Sequence, residues 1–264
     1  GHVLTAAYAV EPARVVLVVG HQREAVAAHV QERFPDVLLA VQEEQLGTGH
    51  AVRVAVEAAT ADGQGMDGTV LVAYGDTPLL TGETLREFAA EHEAAQRAVS
   101  ILSGIVPNPF GYGRVLRNEE GDVEAIVEEK DATPAQREVH EINSGILAFD
   151  AEFLVSALPR ICNDNAKGEY YLTDITAIAR EDGLTVGAYP IDDVMQTEGV
   201  NDRVQLARMG AELNRRIVER WMRAGVTVMD PATTWIDADV VLAQDVTILP
   251  GTQLLGATVV REDA

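Results

Sequence analysis

The amino-acid sequence predicts an α/β protein: a mostly parallel sheet with helices on both faces, then a long connecting helix, then the first coils of a β-helix. Three observations predict it. Apolar runs rich in Val, Leu and Ile alternate with amphipathic stretches through the first part of the chain, as expected of parallel strands buried on both faces. A single long amphipathic run occupies 202–225. Beyond Gly225, small polar turns separate Ile, Val and Leu at intervals of about five or six positions, the spacing at which β-helix side chains point into a narrow prism.

The elements follow in order. RVVLVVG (14–20) reads as a fully buried strand and HQREAVAAHVQERF (21–34) as the helix after it. DVLLAVQ (36–42) is a second strand. GTGHAVRVAVEAAT (47–60) carries Ala51, Val54, Ala55 and Ala58 at helical spacing, with glycines at its start. GTVLVAYGD (68–76) is a third strand, and TGETLREFAAEHEAA (81–95) the next helix. YGRVLRNEEGDVEAIVEEK (112–130) breaks the alternation: two strands around a Glu-Glu-Gly-Asp turn form an antiparallel insertion. NSGILAFD (143–150) returns to a buried strand, followed by the short helix AEFLVSALP (151–159), the helix EYYLTDITAIARED (169–182) and the strand TVGAYPI (185–191). The long helix at 202–225 places Leu206, Met209, Leu213, Ile217 and Trp221 on one stripe. The expected organisation is a first domain over 1–200, a linker helix over 201–225 and the start of a β-helix over 226–264. Only one or two coils fit before the chain ends, where about three are usual for stability, so a chain cut short at its C-terminus is expected.

Composition excludes several classes of function. The chain has 264 residues and a net charge of −22, from 20 Lys+Arg against 42 Asp+Glu. Such a field repels nucleic acid and anionic membrane surfaces. No apolar run is long enough to span a bilayer, and GHVLTAAYAV lacks the basic start and cleavage pattern of a signal peptide. The lone Cys162 rules out an internal disulfide and fits a reducing cytoplasm. An anionic substrate would need a metal ion or a few placed cations against this background.

Five short motifs carry chemistry. In VLVAYGDTPLL (70–80) a core strand ends on Tyr74-Gly75-Asp76; in open α/β sheets ligands bind at such carboxyl ends. Alone, Asp76 reads as a turn residue; functionally, its carboxylate is a hard-oxygen ligand for Mg2+, which takes one or two carboxylates plus substrate phosphates. QEEQLGTGHA (42–51) offers free N–H groups and a hydroxyl at a helix start, without the lysine of a phosphate-binding P-loop. PNPFGYGRV (107–115) flanks Tyr112 with glycines. EINSGI (141–146) sets Asn143, two donors and an acceptor, at the head of a buried strand. EGVNDRVQL (198–206) supplies Asn201 and Asp202, natural N-cap residues of the long helix. The first strand and its turn lack the glycines of a dinucleotide site, which argues against a nicotinamide-dependent oxidoreductase.

Together, and in this order, LGTGHA, YGD-P-L, FGYGR, IVEEKDAT, EINSGI, GEYYLTD and EGVNDR resemble the sugar-1-phosphate nucleotidylyltransferases, in particular the bifunctional branch that joins uridylyl transfer to acetyl transfer. The resemblance runs over essentially the whole chain. It implies a Rossmann-like sheet of the nucleotide-diphospho-sugar transferase type and left-handed β-helix coils. The activity implied is Mg2+-dependent transfer of UMP from UTP to N-acetylglucosamine 1-phosphate, giving UDP-N-acetylglucosamine and pyrophosphate for cell-wall precursor synthesis. By that resemblance, Gln42, Gly47 and Thr48 would bind the uracil edge; Tyr74, Gly75 and Asp76 would lie beside the ribose and phosphates. Gly113, Glu128 and Asn143 would hold the amino sugar, with Thr173 lining the same pocket, and Asp76 and Asn201 would be the Mg2+ ligands, leaving the helix cap to Asp202.

The sequence departs from the family pattern at both ends. The strand and glycine-rich loop with an Arg and a Lys that grip the triphosphate are not found here, which would leave an unpaired sheet edge. The acetyl-CoA site and its histidine would lie beyond the C-terminal end, along with the coils that make such proteins homotrimers. Two alternatives stay open: a nucleotidylyltransferase for another sugar 1-phosphate such as glucose 1-phosphate, and a non-catalytic sugar-nucleotide-binding module.

Overall fold

The structure, a computed structural model, describes residues 1–20, 23–165 and 167–262. It divides into two compact units, Gly1–Glu198 and Gly199–Ala264. The first unit begins with α1 (His2–Tyr8), β1 (Val16–Val19), α2 (Arg23–Arg33), β2 (Leu38–Val41), α3 (Thr48–Ala59), β3 (Thr69–Val72) and α4 (Gly82–Ala94). There follow β4 (Val99–Ile105), the antiparallel pair β5 (Gly113–Arg117) and β6 (Val123–Val127), the single turn α5 (Pro134–Arg137), β7 (Glu141–Asp150), α6 (Ala151–Ala157), α7 (Ile175–Glu181) and β8 (Val186–Pro190). The expected start of α2 at His21 and Gln22 lies outside the described residues.

The longest strand organises the sheet. β4 and β8 run parallel, while β7 lies antiparallel to both β3 and β4, with Val72 opposite Leu147 and Val99 opposite Phe149. Strand alternation then sends Leu147 and Phe149 to one face and Ile146 and Ala148 to the other. On the first face they join Ile101, Leu154 and Ile175 in the main core; on the second they meet Leu85, Phe88 and Ala6 beneath α4 and α1. This interior is the principal hydrophobic stabilisation of the unit, at about 25 cal/mol for each Å2 of apolar surface buried.

β1 and β2 form a separate parallel pair. Among the described residues β1 bonds to no other strand, and β3 bonds only to β7. Open edges explain two departures from expectation. Only Val19 of β1 is buried, although the run reads as a fully buried strand, and Leu38 and Val41 of β2 are 41% and 38% exposed. A two-stranded ribbon has too few neighbours to enclose both faces.

Two element boundaries also differ. β3 stops at Val72, so Ala73–Asp76 leave the sheet and Gly75–Asp76 form a turn. The expected helix at 169–182 begins only at Ile175, after a 3-10 turn over Leu172–Asp174. Tertiary hydrogen bonds hold the preceding residues extended: the Tyr170 amide donates to Leu46 O, and the Gly49 amide donates to Tyr170 O, both at 2.8 Å.

The second unit opens with α8 (Arg203–Arg223), capped by Asp202, whose carboxylate accepts from the Gln205 amide at 2.7 Å. Of its apolar stripe, Met209 and Ile217 are buried, but Leu206 is 57% exposed. Six two-residue strands follow: β9 (Thr227–Val228), β10 (Trp235–Ile236), β11 (Val241–Leu242), β12 (Thr247–Ile248), β13 (Gln253–Leu254) and β14 (Val259–Val260). Their pairings are all parallel, Thr227 with Thr247, Trp235 with Gln253 and Val241 with Val259. Val228, Ile236, Leu242 and Ile248 point inward onto Ile217 and Val218. Asn214 ties the helix to these turns, donating to Thr234 O at 2.8 Å and accepting from the Ile236 amide at 2.9 Å. Among the described residues no helix is long and apolar enough to cross a membrane.

Candidate active site

The carboxyl end of β3 turns sharply into α4. Thr77, 1% exposed, donates its hydroxyl to Tyr74 O at 3.1 Å and fixes the turn. Gly75 and Asp76 stand exposed on it. The Tyr74 ring lies against Gly145 of β7, whose φ of +80° and lack of a Cβ leave the ring its place. Burial pushes the Tyr74 hydroxyl above its ordinary pKa, and the carboxylates of Glu128 and Asp76 add to the effect.

Next to it, the expected sugar-binding residues converge. Gly113 and Asn143 are cross-strand partners on β5 and β7. A Cβ on Gly113 would meet Ile126 Cγ2 at 3.3 Å and Glu128 Oε1 at 3.4 Å, which sets the glycine directly beside that carboxylate. Asn143 is buried, and its Oδ1 accepts from the Gly145 amide at 2.9 Å, which orients the side-chain amide. Burial raises the Glu128 carboxyl; the Lys167 ammonium and a hydrogen bond from Thr173 oppose that rise. Thr48, Tyr74, Glu128, Gly145 and Thr173 line one cavity of about 440 Å3, a size suited to a small ligand.

The glycine turn before α3 is built differently from expectation. Gly47 has φ +108° and packs so closely on the Tyr170 backbone that a Cβ would overlap it. Its helix start does not present free groups throughout. The Gly49 amide is bonded to Tyr170 O, and the Thr48 hydroxyl oxygen accepts from the Leu172 amide at 3.0 Å. The Gln42 amide donates to Gly47 O at 3.1 Å and contacts His50 Nδ1 at 3.0 Å. Thr48 reaches the cavity wall, whereas Gln42 and Gly47 frame the turn behind it.

Asn201 belongs to the second unit, exposed just before α8, with its amide donating to Gln205 Oε1 at 2.7 Å. Among the described residues no three or more His, Cys, Asp or Glu side chains gather as a metal site.

Several cavity residues were given no role by the sequence: beside Gly111 of the Tyr112 motif, Phe110, Glu129, Tyr171, Lys130 and Lys167 line it. Those are the only two lysines in the chain, and among the described residues neither is in a salt bridge; their rarity was the available signal. Glu128, Glu129 and Glu169 line the same cavity.

Comparison with known proteins places this site in context. The family model for nucleotidyl transferases matches residues 2–237. Proteins named bifunctional protein GlmU are similar along the chain. Those of Paenarthrobacter aurescens and Thermobifida fusca are 52% and 53% identical over the whole chain, which covers 53% and 54% of their lengths. That of Cutibacterium acnes is 54% identical over 98% of the chain and 62% of its own length. The chain spans about half the length of the curated relatives it matches.

Proposed function

The chain belongs to the nucleotidyl transferase family, and from that premise we propose that it transfers UMP from UTP to N-acetylglucosamine 1-phosphate, releasing pyrophosphate and forming UDP-N-acetylglucosamine. The observation that carries this reading is one cavity lined by Tyr74, Glu128 and Thr173, with Gly113 beside Glu128 and its cross-strand partner Asn143 bonded to Gly145 of the same wall. The Glu128 carboxylate and the Thr173 hydroxyl on the cavity wall, with the buried Asn143 amide behind Gly145, suit the hydroxyls and acetamido group of an amino sugar. Lys130 and Lys167 supply the local positive charge that phosphates need in a chain of net charge −22.

The chemistry is positioning. The sugar phosphate is already an anionic nucleophile, so no general base is required. Its oxygen attacks the α-phosphorus of UTP in line, a new P–O bond forms, and the bond to pyrophosphate breaks with the electron pair leaving on pyrophosphate. Holding both substrates in one cavity supplies proximity, and charged side chains aimed at the phosphates stabilise the transition state. The tight turn at Gly75 lets the phosphates approach the backbone.

Mg2+ suits the donors available. The Asp76 carboxylate is exposed and makes no hydrogen bond or ion pair among the described residues, and the Asn201 side chain offers an amide oxygen. Each is a hard oxygen donor of the kind Mg2+ takes beside phosphate oxygens and water. When bound, the ion would neutralise phosphate charge.

The test is a calorimetric titration with UDP-N-acetylglucosamine and UDP-glucose, with and without Mg2+, beside a pyrophosphate-release assay across sugar phosphates. Mg2+-dependent binding that favours the acetamido sugar supports the reading; equal binding of both sugars, or none, sinks it.

A further inference from the structure

We propose that the Arg114–Glu129 ion pair is a positioning latch that holds the Pro107–Gly113 loop, with Phe110 at its tip, against the mouth of the cavity for the sugar to pack on. The proposal rests on the reading of the cavity as a sugar-nucleotide site.

Arg114 is 1% exposed, an unusual environment for a guanidinium, and its partner Glu129 lines the cavity. Its Nη2 donates to Glu129 Oε2 at 2.6 Å and its Nη1 to Tyr112 O, while Nε is buried without a partner. Glu129 Oε2 also accepts from the Gly111 amide at 3.2 Å, and Arg137 lies 3.6 Å from Oε1. The hydrogen bond from Arg114 holds the Glu129 carboxyl below its usual range. One carboxylate and one guanidinium therefore grip the loop at two successive residues, Gly111 by its N–H and Tyr112 by its C=O.

Gly111 has φ +89° with open space where a Cβ would stand, and besides the latch the loop is held from within, by the Phe110 amide donating to Asn108 Oδ1 and the Tyr112 amide donating to Pro109 O, each at 3.2 Å. Phe110 is 76% exposed and yet lines the cavity with Gly111 and Glu129. An aromatic ring left in water at a cavity mouth gains by being covered, and a sugar held by Glu128, the residue adjoining the latch carboxylate, is placed to cover it. A planar guanidinium that bonds Glu129 through Nη2 and the Tyr112 carbonyl through Nη1 fixes direction as well as distance, so the pair sets where the ring stands.

Two readouts separate the latch from the cavity assignment. Hydrogen exchange of the 107–113 segment in the ligand-free chain is compared for wild type, Glu129→Gln and Glu129→Ala. Calorimetry then measures UDP-N-acetylglucosamine and UDP on the same proteins and on Phe110→Ala. Expected are exchange about tenfold faster in both Glu129 variants, the loss of one charged hydrogen bond, and binding of UDP-N-acetylglucosamine weakened about tenfold in all three, the loss of one well-placed aromatic contact, with UDP binding unchanged. Unchanged exchange overturns the latch. So does faster exchange with undiminished sugar-nucleotide binding, or an equal loss for UDP, which would mark a purely structural pair. Failure of the wild type to bind UDP-N-acetylglucosamine would instead overturn the cavity assignment and the latch with it.

Discussion

The ring of Tyr74 occupies the space in which a Cβ on residue 145 would stand. A turn after one strand is thereby seated on the backbone of another, and Gly145, at φ +80°, meets both the steric and the conformational demand. Replacement by alanine should displace the ring. Gly145→Ala is expected to lower stability by about 2 kcal/mol, from backbone strain alone, and to weaken sugar-nucleotide binding. A melting curve and a titration check it; an unchanged transition temperature would contradict the strain at residue 145.

The proposed metal ligands can be tested through the Mg2+ dependence they confer. Asp76→Asn and Asn201→Ala should each reduce the Mg2+-dependent part of nucleotide binding by tenfold or more, following the cost of losing a ligand or its support, and leave metal-free binding as it is. Calorimetry with and without Mg2+ reads both parts. If both variants keep the full Mg2+ effect, the ligand assignment is wrong.

Glu128 is held at a cost to the fold. Burial raises its carboxyl, so the folded state holds the proton more tightly than the unfolded chain. That contribution is complete below the unfolded carboxyl pKa, near 4.3, and is lost as pH rises through the folded value. Glu128→Gln is therefore expected to stabilise the protein at pH 7 by about 1 kcal/mol, with the advantage fading near pH 4, while amino-sugar binding falls. Urea unfolding at the two pH values decides it, and a variant less stable at pH 7 contradicts the assignment of burial as the dominant cause.

His92 carries the opposite pH signature. It is 2% exposed, shares a 2.9 Å hydrogen bond with Ser100, and is held below the ordinary imidazole range by burial and by Arg97. The unfolded chain therefore takes up a proton first as pH falls. Stability is full above the unfolded pKa of about 6.5 and declines below it. Between pH 7.5 and 5.5 the wild type should lose more stability than His92→Gln, by roughly 1 kcal/mol. Parallel denaturation curves would exclude His92 as the source.

Much of the site was legible because each motif sits at a place where backbone chemistry restricts the residue. A β-branched run ending on Tyr74-Gly75-Asp76 announces a strand end, and Asn201-Asp202 announces a helix start, where Asp202 is indeed the cap. Other features left no local trace. The 169–182 segment has a helical pattern, but Leu46, Thr48 and Gly49 engage the backbone of Tyr170 and Leu172 from far away in the chain. Gln42, Gly47 and the Gly49 amide look like free ligand groups in sequence and are tied up by the same contacts.

By itself the sequence determined the α/β class, the antiparallel insertion around Asn118–Asp122, the apolar stripe of α8 and the identity of the residues at the strand ends, because side-chain periodicity and turn chemistry are local properties. Only the tertiary structure decided that β7 runs antiparallel between β3 and β4, that Gly113 faces Asn143, that Tyr74 rests on Gly145, and that Arg114 is buried against Glu129. Those relationships depend on which distant segments pair and in which register, and register is set by the packing of whole faces rather than by any short stretch of residues.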